Sequence, residues 1–142
     1  MIHTKWFQGR DNLKDVLEIR KQTLYESCGE DASDIYDDFA FSAVVYDGDV
    51  PAGTGRLLFK EGRYFIDNVG VVNEHRGKSF GDLIVRMLVR RAVNMGAEKT
   101  YAYVCDGCMD IFESIGFEKT GSAENGKFLM VKAGDVGGDC GK

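Results

Sequence analysis

The feature that most restricts the fold of this chain is a run of three β-rich segments joined by very short turns. Residues 41–46 are β-branched and aromatic, and Asp47-Gly48-Asp49 follows as a strong turn signal. Residues 52–60 form the partner, Glu61-Gly62 turns the chain again, and residues 63–72 complete the series. Connections this short cannot carry a crossover, so the segments predict an antiparallel meander. Residues 2–7 read as a further short strand ahead of it.

The texture changes after the meander. Arg76-Gly77-Lys78-Ser79-Phe80-Gly81 is a polar, glycine-bearing loop. Residues 83–95 form a long, mostly apolar helix whose polar stripe is Asp82, Arg86, Arg90 and Asn94, with Gly96 as its natural stop. Residues 100–104 read as a strand that follows the helix closely enough to lie parallel to 63–72. A short helix over 109–115 is stopped by Gly116. Residues 117–120 and 127–131 then make a hairpin around Asn125-Gly126. Near the N-terminus, Asn12 can cap a helix carrying Val16, Leu17, Ile19, Arg20, Thr23 and Leu24, ended by Cys28-Gly29. An acidic run over 30–38, with Asp31, Asp34, Asp37 and Asp38, has room for a short helix after Ser33. The sum is a mixed sheet with helices on it, one domain over 1–132. The Gly/Asp-rich residues 133–142 lack apolar periodicity and read as a disordered tail.

Composition narrows the function. A chain of 142 residues with 44% hydrophobic and 29% charged residues builds a core without staples and is not intrinsically disordered. Its formal charge of -5 argues against a nucleic-acid coat, which needs a basic face. No stretch reaches the roughly 20 apolar residues that span a bilayer. The N-terminus shows no apolar leader, so a cytoplasmic protein with reduced thiols at Cys28, Cys105, Cys108 and Cys140 is expected. The 18 glycines are about twice the usual share of ~7%, and those outside the tail call for local reasons.

One such reason is chemical. The glycine-bearing loop lies between a sheet strand and a helix N-terminus, where free N–H groups and the helix dipole favour phosphate. Taken with the order of elements, Val69-Gly70-Val71, the loop Arg76–Gly81 and Ile111-Phe112-Glu113-Ser114-Ile115-Gly116-Phe117 resemble the GNAT (Gcn5-related N-acetyltransferase) superfamily. The likeness covers about residues 2–132. The N-terminal half, with Leu13-Lys14-Asp15-Val16, Val44-Val45-Tyr46-Asp47-Gly48 and Gly53-Thr54-Gly55-Arg56-Leu57, resembles its small bacterial branch. The resemblance implies an α/β (α+β) fold with a mixed, mostly antiparallel sheet of six to seven strands and about four helices on both faces. It also implies an N-acetyltransferase that uses acetyl-CoA as co-substrate and needs no metal. Pyrophosphate would meet the backbone of Gly77, Lys78, Ser79, Phe80 and Gly81 behind Arg76. Pantetheine would pair with Val69, Gly70 and Val71, on strands that the family splays apart. The thioester carbonyl would sit near the Val69 and Gly70 amides. The partners expected are acetyl-CoA and a small-molecule or peptide amine, with no nucleic acid and no membrane. Members of the superfamily often dimerise, and the oligomeric state here stays open.

Three positions depart from the family pattern. Ser79 stands where glycine is usual; with Asp82 it can form a capping box, or it can be strained at positive φ. Phe112 stands where many members place a tyrosine that protonates the leaving thiolate. Ser42 stands where related small proteins often carry histidine.

Asp67, polar among Phe65, Ile66, Val69 and Val71, is the candidate base. The alternative is that it pairs with Arg56 or Arg63 across the hairpin. Tyr103 and Cys105 are candidate replacements for the missing acid. Asp34, Asp37 and Asp38 either draw a cationic amine or form a solvated loop. Cys105-Asp106-Gly107-Cys108 reads as a redox pair, as half a zinc site, or as two small residues at a tight turn. A non-catalytic acyl-CoA sensor and a CxxC redox protein are the rival functions. His75 is given no role.

Overall fold

The computed structural model describes residues 1–11, 13–25, 34–121 and 126–136. The strands are β1 (Ile2–Gln8), β2 (Phe41–Asp47), β3 (Val50–Lys60), β4 (Arg63–Val71), β5 (Lys99–Cys105), β6 (Glu118–Lys119) and β7 (Lys127–Ala133). They form a seven-stranded sheet in the order β1-β2-β3-β4-β5-β7-β6. Every neighbouring pair is antiparallel except β4 and β5, which run parallel across the α-helical connection. Three α-helices occur among the described residues: α1 (Leu13–Arg20), α2 (Phe80–Asn94) and α3 (Met109–Ile115). A π turn over Lys21–Tyr25 extends α1, and a 3-10 turn over Ile35–Asp38 fills the place of the expected fourth helix.

Alternation along the strands sorts the apolar side chains onto two faces. Ala43, Val45, Leu57, Ile66, Ala102 and Val104 pack under α2 and α3, together with Ile84, Val85, Leu88 and Phe112. On the other face Val44 and Tyr46 meet Val16 and Ile19 of α1. Ala40, Leu58 and Phe65 form a smaller cluster near the 3-10 turn. Each fully buried Ile, Leu or Val of α2 contributes on the order of 1.5–3 kcal/mol.

Helix α2 packs directly on the backbone of β3 at two glycines. A Cβ on Gly53 would lie 2.8 Å from Ile84 Cδ1, and one on Gly55 would lie 2.7 Å from both Ile84 Cγ2 and Leu88 Cδ1. Two of the surplus glycines thereby acquire a packing reason.

The first residues of the expected tail, 133–136, are held in place. Ala133 closes β7, the Gly134 N–H donates to Glu98 O, Asp135 lies 3.5 Å from Arg90, and Val136 packs on the core. Backbone pairing and one apolar side chain suffice to order these residues despite the polar composition. Residues 137–142, the cap at Asn12, the stop at Cys28-Gly29, Asp31, Ser33 and Asn125 lie outside the described residues.

Candidate active site

The sheet opens where β4 and β5 part. Their parallel ladder holds only Tyr64, Phe65 and Ile66 against Thr100, Tyr101 and Ala102. Beyond it β4 continues to Val71 and β5 to Cys105 with no further pairing between them among the described residues. The cause is local. Between the pairs Thr54–Gly70 and Arg56–Asp67, β3 has one residue, Gly55, while β4 has two, Asn68 and Val69. This is a β-bulge, and Asn68 holds the left-handed conformation it needs at φ 51. The extra residue also resets the side-chain phase. Ile66, Val69 and Val71 all face the α2 side, whereas Gly70 meets Thr23 of the π turn. A Cβ on Gly70 would lie 2.2 Å from Thr23 Oγ1, so glycine is required there.

The open edge of β4 leads into the loop before α2. Arg76 folds back and donates from Nε to Val71 O at 3.0 Å, tying the loop to the strand end. Gly77 has φ 84 and Ser79 φ 65, so two left-handed residues curl the loop ahead of the helix. The N–H groups of Phe80, Gly81 and Asp82 belong to the first helical turn, which has no intrahelical acceptors. Concave backbone of this kind at a helix start, outside the carboxyl ends of sheet strands, suits an anion. Phe80 is buried and stacked on His75, and Gly81 admits Ile111 of α3 at close range.

The expected capping box is absent. An N-cap side chain reaches the N3 amide from extended backbone, and in the left-handed region Ser79 makes no side-chain cap bond. Asp82 is taken instead by Arg86, whose Nε donates to it at 2.8 Å. That pairing offsets the repulsion an isolated carboxylate would exert on a bound phosphate. Lys78 Nζ lies 3.6 Å from Asp47 and His75 Nδ1 3.5 Å from the same carboxylate, so both side chains lean toward the β2–β3 turn.

Replacing Ser79 by glycine removes a left-handed strain of about 1–2 kcal/mol against a glycine entropy cost of about 0.5–1 kcal/mol. Ser79→Gly is therefore expected to melt a few degrees higher than the parent, with the loop unchanged. A lower Tm would show that the serine hydroxyl contributes something further.

On the α1 face lies a cluster of charges. Arg56 of β3 is almost fully buried and uses every N–H it has. Nε and Nη2 donate to both oxygens of Asp67, at 2.8 and 2.7 Å. Nη1 and Nη2 donate to both oxygens of Asp34, at 2.6 and 3.2 Å, and Nη1 also reaches Asp37 at 3.3 Å. Arg20 at the end of α1 grips Asp37 with two bonds of 3.0 Å. Burial alone would push the Asp37 carboxyl up. The Arg20 bonds, the Asp34 N–H and the charges of Arg20 and Arg56 outweigh it and hold it below the ordinary carboxylate range. Asp34 also caps the 3-10 turn, and Asp37 returns a bond to its amide. The acidic run is thus a structural clamp at Asp34 and Asp37. Asp38 alone turns outward, to Arg10.

Among the described residues, two guanidiniums face three carboxylates here. The two partly exposed members are Asp34 and Asp67. Asp67 follows the open ladder directly, so the charged edge of the cluster borders the split in the sheet. Ser42 lies across the strand from Arg56. Of the two arginines weighed for Asp67, Arg63 instead stacks on Tyr101.

The remaining candidates are spread along β5 and α3. Tyr103 is half exposed and stacks on Phe65, on the face that carries the charge cluster. Cys105 is exposed at the end of β5. Phe112 is buried and packs edge-on against Phe117 at 5.1 Å. Among the described residues no group of three or more His, Cys, Asp or Glu is placed to hold a metal. No helix there is long and apolar enough to cross a membrane. The bulge and the Arg20–Asp37 grip are features of this region that residue patterns do not announce directly. The one available signal is the break in alternation at Ile66-Asp67-Asn68-Val69.

Residues 11–117 match the family model described as Acetyltransferase (GNAT) family. The chain belongs to the GNAT family. A GNAT relative, the uncharacterized N-acetyltransferase YjcF of Bacillus subtilis (strain 168), is 28% identical over 93 residues. That alignment spans 63% of this chain and 66% of YjcF, just under two thirds of the relative's length. Among solved structures, an acyl-CoA N-acyltransferase from Pseudomonas aeruginosa superposes with a TM-score of 0.82 at 16% identity, covering 94% of this chain and 100% of that one. PaiA N-acetyltransferase from Thermoplasma acidophilum, solved in complex with coenzyme A, gives 0.74 at 12% identity over 94% and 99% of the two chains. These likenesses show the GNAT fold.

Proposed function

We propose that this GNAT chain is an N-acetyltransferase that moves an acetyl group from acetyl-CoA to a primary amine by direct attack. The observation that carries the reading is the continuity of the unpaired β4 edge with the left-handed loop and the start of α2. Backbone N–H groups from Gly77 to Gly81 would receive the pyrophosphate, and Val69 to Val71 would pair with the pantetheine amides as an added strand. The Val69 and Gly70 amides would polarise the thioester carbonyl. The coenzyme A complex of the Thermoplasma relative supports the choice of donor.

In the proposed reaction the amine nitrogen attacks the thioester carbonyl carbon and the C–S bond breaks. Asp67, or a water it holds, takes the proton lost by the amine. The Arg56 fork fixes the plane of that carboxylate, and the partly exposed carboxylates of the cluster favour a cationic acceptor. The CoA thiolate is reprotonated by water, the Tyr103 hydroxyl or the Cys105 thiol. The buried Phe112 has no proton to give, and this favours a second reading, an acyl-CoA sensor without turnover.

Thermal shift decides the donor. Acetyl-CoA and desulfo-CoA at 100 times Kd are expected to stabilise the protein by about 2.7 kcal/mol, a rise of several degrees. ATP and NAD at matched concentration should leave Tm unchanged. No rise up to millimolar acetyl-CoA overturns the reading. A rise without turnover over a broad amine panel selects the sensor.

A further inference from the structure

The Cys105–Cys108 turn has geometry that the proposed transfer chemistry does not need. Cys105 Sγ and Cys108 Sγ are 3.8 Å apart, across the 3-10 turn Asp106–Cys108 that joins β5 to α3. Three residues of 3-10 rise separate the two Cα atoms by roughly 6 Å, inside the range that a disulfide spans. Small rotations about the two Cα–Cβ bonds bring the sulfurs to bonding distance without moving an element of the fold. Nothing crowds the turn, since a Cβ on Gly107 would meet no atom within 4 Å.

The two thiols are not equivalent. Cys105 is exposed, while Cys108 is partly buried and packs on the main core cluster. Burial, with Cys105 alongside, pushes the Cys108 thiol up to about 11, and the charge of Arg76 opposes this only in part. An external reagent therefore meets Cys105 first, and Cys108 stands behind it as the second thiol.

We propose that Cys105 and Cys108 are a thiol–disulfide modification site, with Cys105 attacking a small-molecule disulfide and Cys108 resolving the adduct. In the first step the Cys105 thiolate displaces one thiolate from the reagent and forms a mixed disulfide. In the second, the Cys108 sulfur attacks Cys105 Sγ, forms the intrachain bond and releases the second thiolate. The two protons lost by the cysteines go to the two released thiols. The protein is oxidised by two electrons and the reagent reduced by two. The product bond ties the end of β5 to the start of α3, whose Ile111 lies against Gly81 at the head of α2.

The test treats the full chain with glutathione disulfide, then alkylates and digests it. Tryptic cleavage leaves residues 100–119 as one peptide holding both cysteines. The parent peptide is expected to lose two hydrogen atoms, escape alkylation, and recover after dithiothreitol. Cys108→Ser should stop as a glutathione adduct on Cys105. The proposal is overturned if the parent keeps both thiols alkylatable, if it accumulates a stable adduct without closure, or if the adduct sits on Cys108. The readout requires neither acetyl-CoA nor turnover, so it stands or falls apart from the acetyltransferase reading.

Discussion

Asp37→Ala is expected to lose about 3–5 kcal/mol of folding stability and to melt roughly 10 °C below the parent protein. The side chains of Asp37 and Arg20 are both essentially inaccessible to water, and two 3.0 Å bonds join them. Taking out the carboxylate removes both of those bonds and a contact to Arg56, and strips the Asp34 N–H of its acceptor. Acid provides a second measurement. The Asp37 carboxyl lies below its ordinary range when folded, so the unfolded chain binds more protons at mildly acidic pH and stability rises with pH there. The contribution is fully present above the unfolded value near ~3.9 and is lost as pH falls through the lower folded value. Denaturant midpoints of parent and variant should therefore be far apart at neutral pH and converge below about pH 4. A gap that stays constant down to strong acid would show that the loss came from packing alone.

The second large effect concerns rate. Asp67→Asn keeps the shape of the side chain and one acceptor for Arg56, but removes the proton acceptor of the proposed mechanism. With an amine identified by panel, kcat is expected to fall by about 10² or more, the usual range for a positioned acid or base. The Kd for acetyl-CoA should stay within a few-fold, because the donor contacts proposed on β4 are backbone groups of Val69 to Val71. If kcat is unchanged, Asp67 is a structural partner of Arg56 and the amine loses its proton to solvent. If acetyl-CoA binding is lost as well, the cluster holds the bulge in place.

Much of this was legible in the residues, for a common reason. The turns at Asp47-Gly48-Asp49 and Glu61-Gly62, the parallel return after α2 and the helix Met109–Ile115 all rest on local geometry. Each is a decision the chain makes within a few residues. The same holds for the loop, since glycine and a polar run before an apolar helix are a local pattern. What the residues did not disclose depends on distant partners. The residues do offer Arg56 for Asp67 across one hairpin, but Arg20, Asp34 and Asp37 join that pair only when α1, the 3-10 turn, β3 and β4 have assembled. Each of those residues, taken singly, is an ordinary charged side chain. The capping box failed for a subtler reason: Ser79 and Asp82 have the right spacing, but the curl of the loop takes the serine backbone into a region from which no cap bond forms. The tail misled because composition counts glycine and aspartate and cannot see that Gly134 has a carbonyl waiting at Glu98.

The split between β4 and β5 has a mechanical side. Residues to the left of it, β1 to β4, and those to the right, β5, β7 and β6, share three rungs of the ladder, and the rest of the join is carried by α2 on one face and by Phe65 against Tyr101 and Tyr103 on the other. A molecule seated along the free edge of β4 would act as a strut in this seam as well as a reactant. Its departure would leave the seam as the line along which the sheet has the fewest backbone ties, bridged by α2 over the β3 glycines on one face and by the Phe65 ring contacts on the other.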